Sequence, residues 1–282
     1  MDIEIICPLY NAENYIENLN NNLKKQKNVE IKKISYILTK SKDNTENILK
    51  NISADYSIVE PTDFSHSLTR EEVAIKSTAD IVVFITQDIE IRNEDWLEKL
   101  VKPIIDGEAE ASFSRQLTKY DNIEKYTREK NYPAESYIVS KADIEKIGLR
   151  TFFFSDASSA IKTDIFKKLN GYDGKNLLIS EDMYIAHKLI MNGYRIKYCA
   201  DSIVYHSHKF TLKKLYKRYY DTGKFFKQNS YLDQYGTNST GGGLAKYILK
   251  RAIQDKNFKV LLRFVPDMAA RFLGMKMGKM NG

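Results

Sequence analysis

Short runs of β-branched and apolar residues alternate with helical patterns through the first hundred residues of this chain, and this alternation narrows the choice of fold more than any other feature. The runs IEIICPL, ISYIL, YSIVE and DIVVFIT predict strands. The segments between them carry apolar residues at helical spacing, as helices packed on a sheet do. Strands that alternate with helices favour an α/β fold with a mostly parallel central sheet, right-handed crossovers and flanking helices.

The bulk properties favour a globular protein with one large domain, or a domain with an appendage. The chain has 282 residues, of which 43% are hydrophobic and 29% charged. No apolar run approaches the roughly 20 residues that span a bilayer, and the N-terminus lacks the basic start of a secretory signal. Cys7 and Cys199 lie in apolar stretches, which favours two reduced core residues over a disulfide. We therefore expect a cytoplasmic protein.

Positive charge is concentrated at the C-terminal end. Residues 209–282 contain 16 Lys and Arg against 4 Asp and Glu, a net of +12, whereas residues 1–208 have a net of −5. Basic residues alternate there with aromatic ones at helical spacing, so we expect a basic helical extension. This extension could cap the rest of the fold, or it could contact the anionic inner face of a membrane at about 1 kcal/mol per basic residue. The acidic body and the lack of a recognisable nucleic-acid module argue against nucleic acid as a partner.

Acidic residues follow the fourth predicted strand, at the edge of the sheet where ligands of parallel α/β proteins bind. The segment FITQDIE places Asp88 after the apolar run, with Gln87 before it and Glu90 two residues further on. Carboxylate oxygens are ligands of hard divalent cations. Since a diphosphate ligand brings oxygens of its own, one carboxylate and one histidine can suffice. In the alternative interpretation, Asp88 only caps or solvates the strand end.

The segment SEDMYIAHKLIMNGY predicts a helix that begins with two carboxylates, Glu181 and Asp182. Carboxylates in a first turn often only compensate the helix dipole. A general base at this position would have to reach a hydroxyl group and stay ionised, which the helix N-terminus favours. The local pattern is compatible with both interpretations.

Three basic side chains complete the candidates. His206 follows the predicted strand RIKYCADSIVY, and imidazole is an acceptable ligand for Mn2+. In FSHSLTR, His66 and Arg70 flank the predicted start of the third helix. A guanidinium suits bidentate contact with phosphate, and a helix start suits anions. Each of these residues, taken alone, is more typical of a structural role.

Taken together, these segments resemble the inverting glycosyltransferases of the GT-A fold, family two. IICPLYNAENYIENLNNNL resembles the family's first strand and nucleotide-binding turn, and SKDNTENIL its second turn. STADIVVFITQDIEIRNEDWLEKLV resembles the stretch with the metal motif, and LNGYDGKNLLISEDMYIAHKLIMNGY the acceptor half with its Glu-Asp base motif. The resemblance implies a GT-A (Rossmann-like) catalytic domain at 1–208, with a nucleotide-sugar-binding half at 1–115 and an acceptor half at 116–208, followed by the extension at 209–282.

A narrower resemblance is to the bacterial rhamnosyltransferases of this family. They show F-x-H-x-x-T-R, here residues 64–70, and Thr-Gln-Asp at the metal position, here residues 86–88. They also show H-S-H and R-Y-x-D-x-G, here at 206–208 and 218–223. This resemblance implies dTDP-L-rhamnose as the donor. A UDP-hexose or UDP-N-acetylhexosamine stays an alternative, because Leu38 or Thr39 replaces the acidic residue that usually reads the pyrimidine.

The resemblance also implies roles for single residues. Asp88 and His206 would bind Mn2+ or Mg2+ on the donor diphosphate, and Asp182 would be the general base with Glu181 as its neighbour. The residues implied to contact the donor are Pro8, Tyr10, Asn11, Asp43, His66, Arg70 and, as an auxiliary contact, Gln87.

The implied reaction is an inverting transfer of a sugar in bacterial polysaccharide or cell-wall biosynthesis. The acceptor would be a cell-surface polysaccharide or a lipid-linked glycan precursor, and the latter would give the basic extension a use at the inner face of the membrane. The alternative of another class is a non-catalytic, basic nucleic-acid-binding protein on a degenerate transferase fold. The charge of the extension and the missing first aspartate of the metal motif favour that alternative.

Overall fold

The chain divides into two compact units, each described here by itself. The computed structural model describes residues 1–282, apart from the side chains of residues 237–240. Unit 1 comprises Met1–Gln116, Ala134–Lys141 and Phe152–His206. Unit 2 comprises Leu117–Pro133, Ala142–Thr151 and Ser207–Gly282. Two internal segments thus belong with the C-terminal helices, and the predicted division into functional halves at residue 115 stays a prediction.

Unit 1 is built on a mixed sheet. The strands are β1 (Asp2–Leu9), β2 (Glu30–Thr39), β3 (Tyr56–Val59), β4 (Ile81–Ile85), β5 (Ala111–Leu117), β6 (Tyr137–Val139), β7 (Ser158–Lys162) and β8 (Ile196–Tyr205). They form one eight-stranded sheet in the order β3-β2-β1-β4-β7-β5-β8-β6. β1 pairs in parallel with β2 and β4, and β2 with β3. β7 pairs antiparallel with β4 and β5, and β6 with β8. The predicted α/β fold is confirmed, and the parallel part is formed by the four strands predicted first.

The helices follow the predicted alternation in the first hundred residues. They are α1 (Ile16–Lys24), α2 (Thr45–Asn51), α3 (Leu68–Lys76), α4 (Trp96–Ile105), α5 (Ile123–Asn131), α6 (Ile144–Ile147), α7 (Thr163–Lys168), α8 (Glu181–Met191), α9 (Leu212–Gln228), α10 (Thr237–Gln254) and α11 (Phe258–Asn281). Unit 1 contains α1 to α4, α7 and α8, whereas α5, α6 and α9 to α11 belong to unit 2.

The core of unit 1 lies along β1 and β4. All residues of β4 are buried, as its uninterrupted apolar run predicts for a strand inside a covered sheet. Trp96, at the start of α4, is also buried, and its Nε1 donates to Oγ of Ser114 at 3.0 Å. The one polar group of this large side chain is therefore satisfied. Cys7 and Cys199 are free and buried, as expected.

Unit 2 contains a close helix pair, α9 and α11. The backbones approach most closely at glycines, since a Cβ atom on Gly274 or Gly278 would collide with the backbone oxygen of Tyr216 or Tyr220. Small residues spaced four apart permit such an approach between helices. Nowhere in the described part of the chain does a helix combine the length and the apolar character that crossing a membrane requires.

Candidate functional site

The predicted metal ligands Asp88 and His206 meet beyond the end of β4. Glu90 and Tyr205 exchange two backbone hydrogen bonds, with N···O distances of 2.8 and 2.9 Å, in an isolated antiparallel bridge. The bridge brings the residues on either side of it together, and Oδ1 of Asp88 lies 3.5 Å from Nε2 of His206. Two segments that are far apart in the chain thus bring a carboxylate and an imidazole to one point.

Gln116, at the end of β5, holds the imidazole of His206 from its other side. Nδ1 of His206 lies 2.9 Å from Oε1 of Gln116. The amide nitrogen of Gln116 donates to Oγ of Ser155 at 2.8 Å, and this side chain is fully buried. With the amide in this orientation, Gln116 accepts from Nδ1–H, so that in its neutral form the ring has its lone pair on Nε2, on the side of Asp88. This is the tautomer that binds a metal through Nε2.

These two side chains fit a divalent cation. Two atoms about 2.1 Å from one ion and at right angles to each other lie about 3 Å apart, which is close to the separation of Asp88 and His206. Carboxylate oxygens suit Mg2+ and Mn2+, and a neutral imidazole is a common metal ligand. Thr86, in the place of the usual first aspartate, has a buried Oγ1 without a hydrogen-bond partner. Unit 1 therefore offers one carboxylate and one imidazole here, and oxygens of a bound diphosphate would add to the coordination.

Gln87 connects the end of β4 to the turn after β1. Its Oε1 accepts from the backbone N–H of Tyr10 at 2.7 Å, and its Nε2 donates to the backbone oxygen of Tyr10 at 2.9 Å. The side chain of Tyr10 is exposed, next to these two hydrogen bonds. Pro8 lies in β1 beyond Ile6, the last residue paired with β4. A strand tolerates a missing N–H there.

Glu90, which follows the metal motif, has a different partner. Its Oε1 lies 2.6 Å from Nε of Arg92. The guanidinium of Arg92 in turn lies 3.7 Å from the ring centroid of Tyr205. The side chain of Glu90 therefore neutralises a neighbouring arginine at the bridge between the two segments.

The turns after β1 and β2 are tied together by side chains that bind backbone groups. The N–H of Asn11, a residue in the left-handed region with φ of 49°, donates to Oγ of Ser41 at 2.8 Å. Asp43 accepts from the N–H of Glu13 at 3.1 Å and from the hydroxyl of Thr45 at 2.7 Å. Burial acts to raise the pKa of Asp43, but these hydrogen bonds outweigh it and lower the pKa. Asp43 thus stabilises both turns, and its predicted contact with a base or ribose stays a prediction.

The two carboxylates at the start of α8 differ in exposure. Glu181 is buried, whereas Asp182 is partly exposed and its Oδ1 accepts from the N–H of Met183 at 2.8 Å. The residue before them, Ser180, has a φ of 61° and caps the helix without a side-chain hydrogen bond. A left-handed non-glycine residue costs on the order of 1–3 kcal/mol and is common at functional sites.

Arg70 joins the start of α3 to the start of α8. It is only 1% exposed. Its Nη1 donates to the backbone oxygen of His66 at 2.8 Å and lies 3.3 Å from Oε1 of Glu181. His66 itself is exposed, with its ring edge-on to Phe64 at 5.1 Å. The predicted contact of His66 and Arg70 with the sugar or diphosphate stays a prediction, and in this structure the guanidinium holds Glu181.

Asp156, which sequence analysis did not single out, lies in the same buried cluster. It is 2% exposed, and it accepts hydrogen bonds from the hydroxyls of Ser159 and Tyr172, both at 2.7 Å. Burial raises the pKa of Asp156 to about 6, Arg70 opposes this change and Glu181 adds to it. Two carboxyl groups thus compete for one buried guanidinium. An acidic residue inside the apolar and small-residue run FFFSDASSAI was the available signal.

Charges from the end of β4 and from the buried cluster both act on Cys7. Burial raises the pKa of the Cys7 thiol in β1, and the charges of Arg70 and Asp88 both act on it with opposite signs. The metal pair and the buried cluster therefore lie within electrostatic range of the same core residue. The sequence patterns did not identify two residues of these groups. Asp156 is a member of the buried cluster, and Gln116 contacts His206 of the metal pair.

A family model described as Glycosyl transferase family 2 matches residues 4–170. The chain belongs to glycosyl transferase family 2. This membership confirms the predicted enzyme class, a glycosyltransferase. The transferase is 33% identical to O-antigen chain rhamnosyltransferase RfbN of Salmonella typhimurium, over 99% of this chain and 90% of that protein. It is also 33% identical to O-antigen chain rhamnosyltransferase WbaN of Salmonella anatum, over 85% of this chain and 77% of that protein.

Solved structures confirm the GT-A fold of the transferase. Mannosyltransferase PcManGT from Pyrobaculum calidifontis, in complex with GDP-Man and Mn2+, superposes with a TM-score of 0.63 at 15% identity, over 99% of this chain and 86% of that one. Residues 1–349 of S. aureus TarS superpose with a TM-score of 0.61 at 15% identity, over 100% of this chain and 92% of that one. At such identities the likeness concerns the fold alone.

Proposed function

We propose that this transferase moves L-rhamnose from dTDP-L-rhamnose to a hydroxyl group of a cell-surface polysaccharide or a lipid-linked glycan precursor, with inversion at the anomeric carbon. The observations that carry the reaction class are the meeting of Asp88 with His206 beyond β4 and the two carboxylates that open α8. The donor and the kind of product are supported by the similarity to RfbN and WbaN over most of the chain.

Asp182 is the proposed general base. It is the partly exposed member of the pair, so it can reach an acceptor hydroxyl and take its proton as the oxygen attacks the anomeric carbon. Glu181 is turned to the buried Arg70 and is proposed to hold the start of α8 in place. Ser180, in the left-handed region, directs the chain into this helix start.

Asp88 and His206 are the proposed holders of Mn2+ or Mg2+. When bound, the cation would neutralise charge on the leaving diphosphate, and stabilisation of that kind is often the largest catalytic term. Gln116 would keep His206 in the binding tautomer. Gln87 would keep the turn that carries Tyr10 and Asn11 against the nucleotide, through its two bonds to the Tyr10 backbone.

The test of donor and metal is a thermal-shift screen with dTDP-L-rhamnose, UDP-glucose and UDP-N-acetylglucosamine, each with and without Mn2+ or Mg2+, followed by detection of released nucleotide. We expect the largest rise in Tm and the fastest release with dTDP-L-rhamnose and a metal. A preference for a UDP-sugar would overturn the proposed donor but not the proposed reaction class. No shift and no release with any sugar nucleotide would contradict both.

We also propose that the transferase works at the inner face of the membrane. A lipid-linked acceptor requires this location, and the net charge of +12 in residues 209–282 would favour an anionic surface.

A further inference from the structure

The last helix of unit 2 exposes a row of large apolar side chains, called here the outer face of α11. The fractions exposed are 84% for Leu262, 71% for Val265 and 66% for Phe272. The remaining large members of the outer face are Phe258, Leu273 and Met280. Soluble proteins seldom leave so many large apolar side chains together in water, and such patches mark interaction sites.

The outer face lies opposite to the side of α11 that packs inside unit 2. At about 100° per residue, the spacing of residues 258, 262, 265, 272 and 280 places them on one side of the helix. The inner side carries Gly274 and Gly278 against α9, and Arg271, which donates to Asp267 at 2.7 Å and to Glu124 at 3.1 Å. Since these contacts fix the rotation of the helix, α11 cannot turn its outer face inward without breaking a buried ionic network.

The charges on α11 indicate which partner fits. Its sequence contains one acidic residue, Asp267, which is buried in the network just described. Lys259 is exposed at the edge of the apolar row, and Lys276 is exposed within it, between Phe272 and Met280. On α9 the exposed basic residues are Lys213, Lys214, Lys217, Arg218 and Lys227. A second copy of this chain would bring lysines against lysines, whereas an anionic bilayer complements both the charge and the apolar row.

We propose that α11 lies in the plane of an anionic lipid bilayer, with its outer face between the headgroups and the acyl chains and with Lys259 and Lys276 at the level of the lipid phosphates. The helix lies on the membrane and does not cross it. This inference rests on the proposed inner-face location and is independent of the sugar-transfer chemistry, because it concerns unit 2 alone.

The test is co-sedimentation with vesicles of phosphatidylcholine alone or mixed with phosphatidylglycerol, without any sugar nucleotide. The triple variant Leu262→Gln/Val265→Gln/Phe272→Gln keeps good helix formers at outward positions, so folding should be retained. We expect its partition onto anionic vesicles to fall at least about tenfold. The matched control is Ile58→Gln/Ile138→Gln, which removes exposed apolar side chains from β3 and β6 of unit 1 and should bind like the unmodified chain.

The charge component is tested by Lys259→Gln/Lys276→Gln. We expect roughly a tenfold loss of binding at low salt and little difference at high salt, since exposed charges are screened there. Hydrogen exchange on the unmodified chain gives a measurement that needs no variant. Added anionic vesicles should protect α11 more than any strand of unit 1.

Three results would overturn the proposal. The first is that the unmodified chain does not bind anionic vesicles at low salt, and the second is that the triple variant binds them as the unmodified chain does. Sedimentation velocity could instead reveal a dimer that the triple variant dissolves, which would assign the outer face to a second copy. None of these results would change the outcome of the donor screen. The membrane proposal and the proposed sugar transfer can therefore fail independently of each other.

Discussion

The end of β4 and the start of α8 both carry carboxylates, but in contrasting surroundings. At β4, Asp88 is partly exposed and faces the imidazole of His206, whose other nitrogen contacts Gln116. At α8, Glu181 shares the buried guanidinium of Arg70 with Asp156. The first arrangement places a carboxylate and an imidazole together. In the second arrangement, the buried guanidinium compensates the charges of the carboxyl groups around it.

Burial explains the difference. Removing ions from water is costly, so a buried cluster persists only when its members compensate each other and accept further hydrogen bonds. Asp156 receives two hydroxyl donors for this reason. Neighbouring carboxylates, such as Glu181 and Asp182, can therefore have separate roles when one is buried and the other is accessible.

The largest expected effect concerns the accessible carboxylate. Asp182→Asn removes the proposed proton acceptor, so turnover should fall by about 10²–10⁴-fold, while donor affinity changes by no more than about twofold. Single-turnover kinetics and donor titration measure the two quantities. The matched control is Asp164→Asn, because Asp164 opens α7 with the same local contact, from the N–H of Ile165 at 2.7 Å. Near-normal turnover in Asp182→Asn would remove this residue from the mechanism.

The second effect concerns the buried cluster. Arg70→Met leaves Glu181 and Asp156 without their guanidinium and should lower the free energy of unfolding by about 3–5 kcal/mol. Arg92→Met breaks the exposed pair with Glu90 and should cost no more than about 1 kcal/mol. Urea unfolding measures both. Equal losses in the two variants would show that burial does not distinguish the two ion pairs.

The third effect is a pH dependence of stability caused by Asp156. Its pKa is raised in the folded chain, so the native state keeps this proton to a higher pH than the unfolded state does. The free energy of unfolding should therefore fall between about pH 4 and about pH 6, by up to about 3 kcal/mol. Asp156→Asn should lack this fall.

Urea titrations at several pH values, compared between the two proteins, measure this contribution. Asp63→Asn, at an exposed aspartate of unit 1, is the matched control and should keep the pH dependence of the unmodified chain. A variant Asp156→Asn with an unchanged pH profile would exclude Asp156 as the source.

The smallest effect concerns Gln116. Gln116→Leu removes the acceptor for Nδ1–H of His206, so Mn2+ affinity should fall about 10-fold or somewhat more, as for other partners of metal-binding histidines. Gln116→Glu keeps an acceptor oxygen and should bind Mn2+ with the affinity of the unmodified chain. Electron paramagnetic resonance of free Mn2+ measures affinity, and nitrogen chemical shifts of His206 report its tautomer. Unchanged affinity and tautomer in Gln116→Leu would limit Gln116 to packing.

Much of the fold and part of the site could be predicted from local patterns. The strands β1 to β4 and the helix α8 follow from apolar runs and helical spacing, and Asp88 follows from its place after a buried strand. The antiparallel β7 between β4 and β5 could not be predicted, because a strand order depends on long-range pairing. The position of Gln116 behind His206 depends on that order, and no local signal marks it.

The sequence by itself determined that this chain forms an α/β transferase of family two, because alternating patterns and motifs act over short distances along the chain. It also determined a basic helical extension. Only the tertiary structure decided which carboxylate is buried and which is accessible, where His206 lies and which side of α11 faces solvent. Those outcomes depend on contacts between residues distant in the chain, whose burial and charge are defined only once the chain has folded.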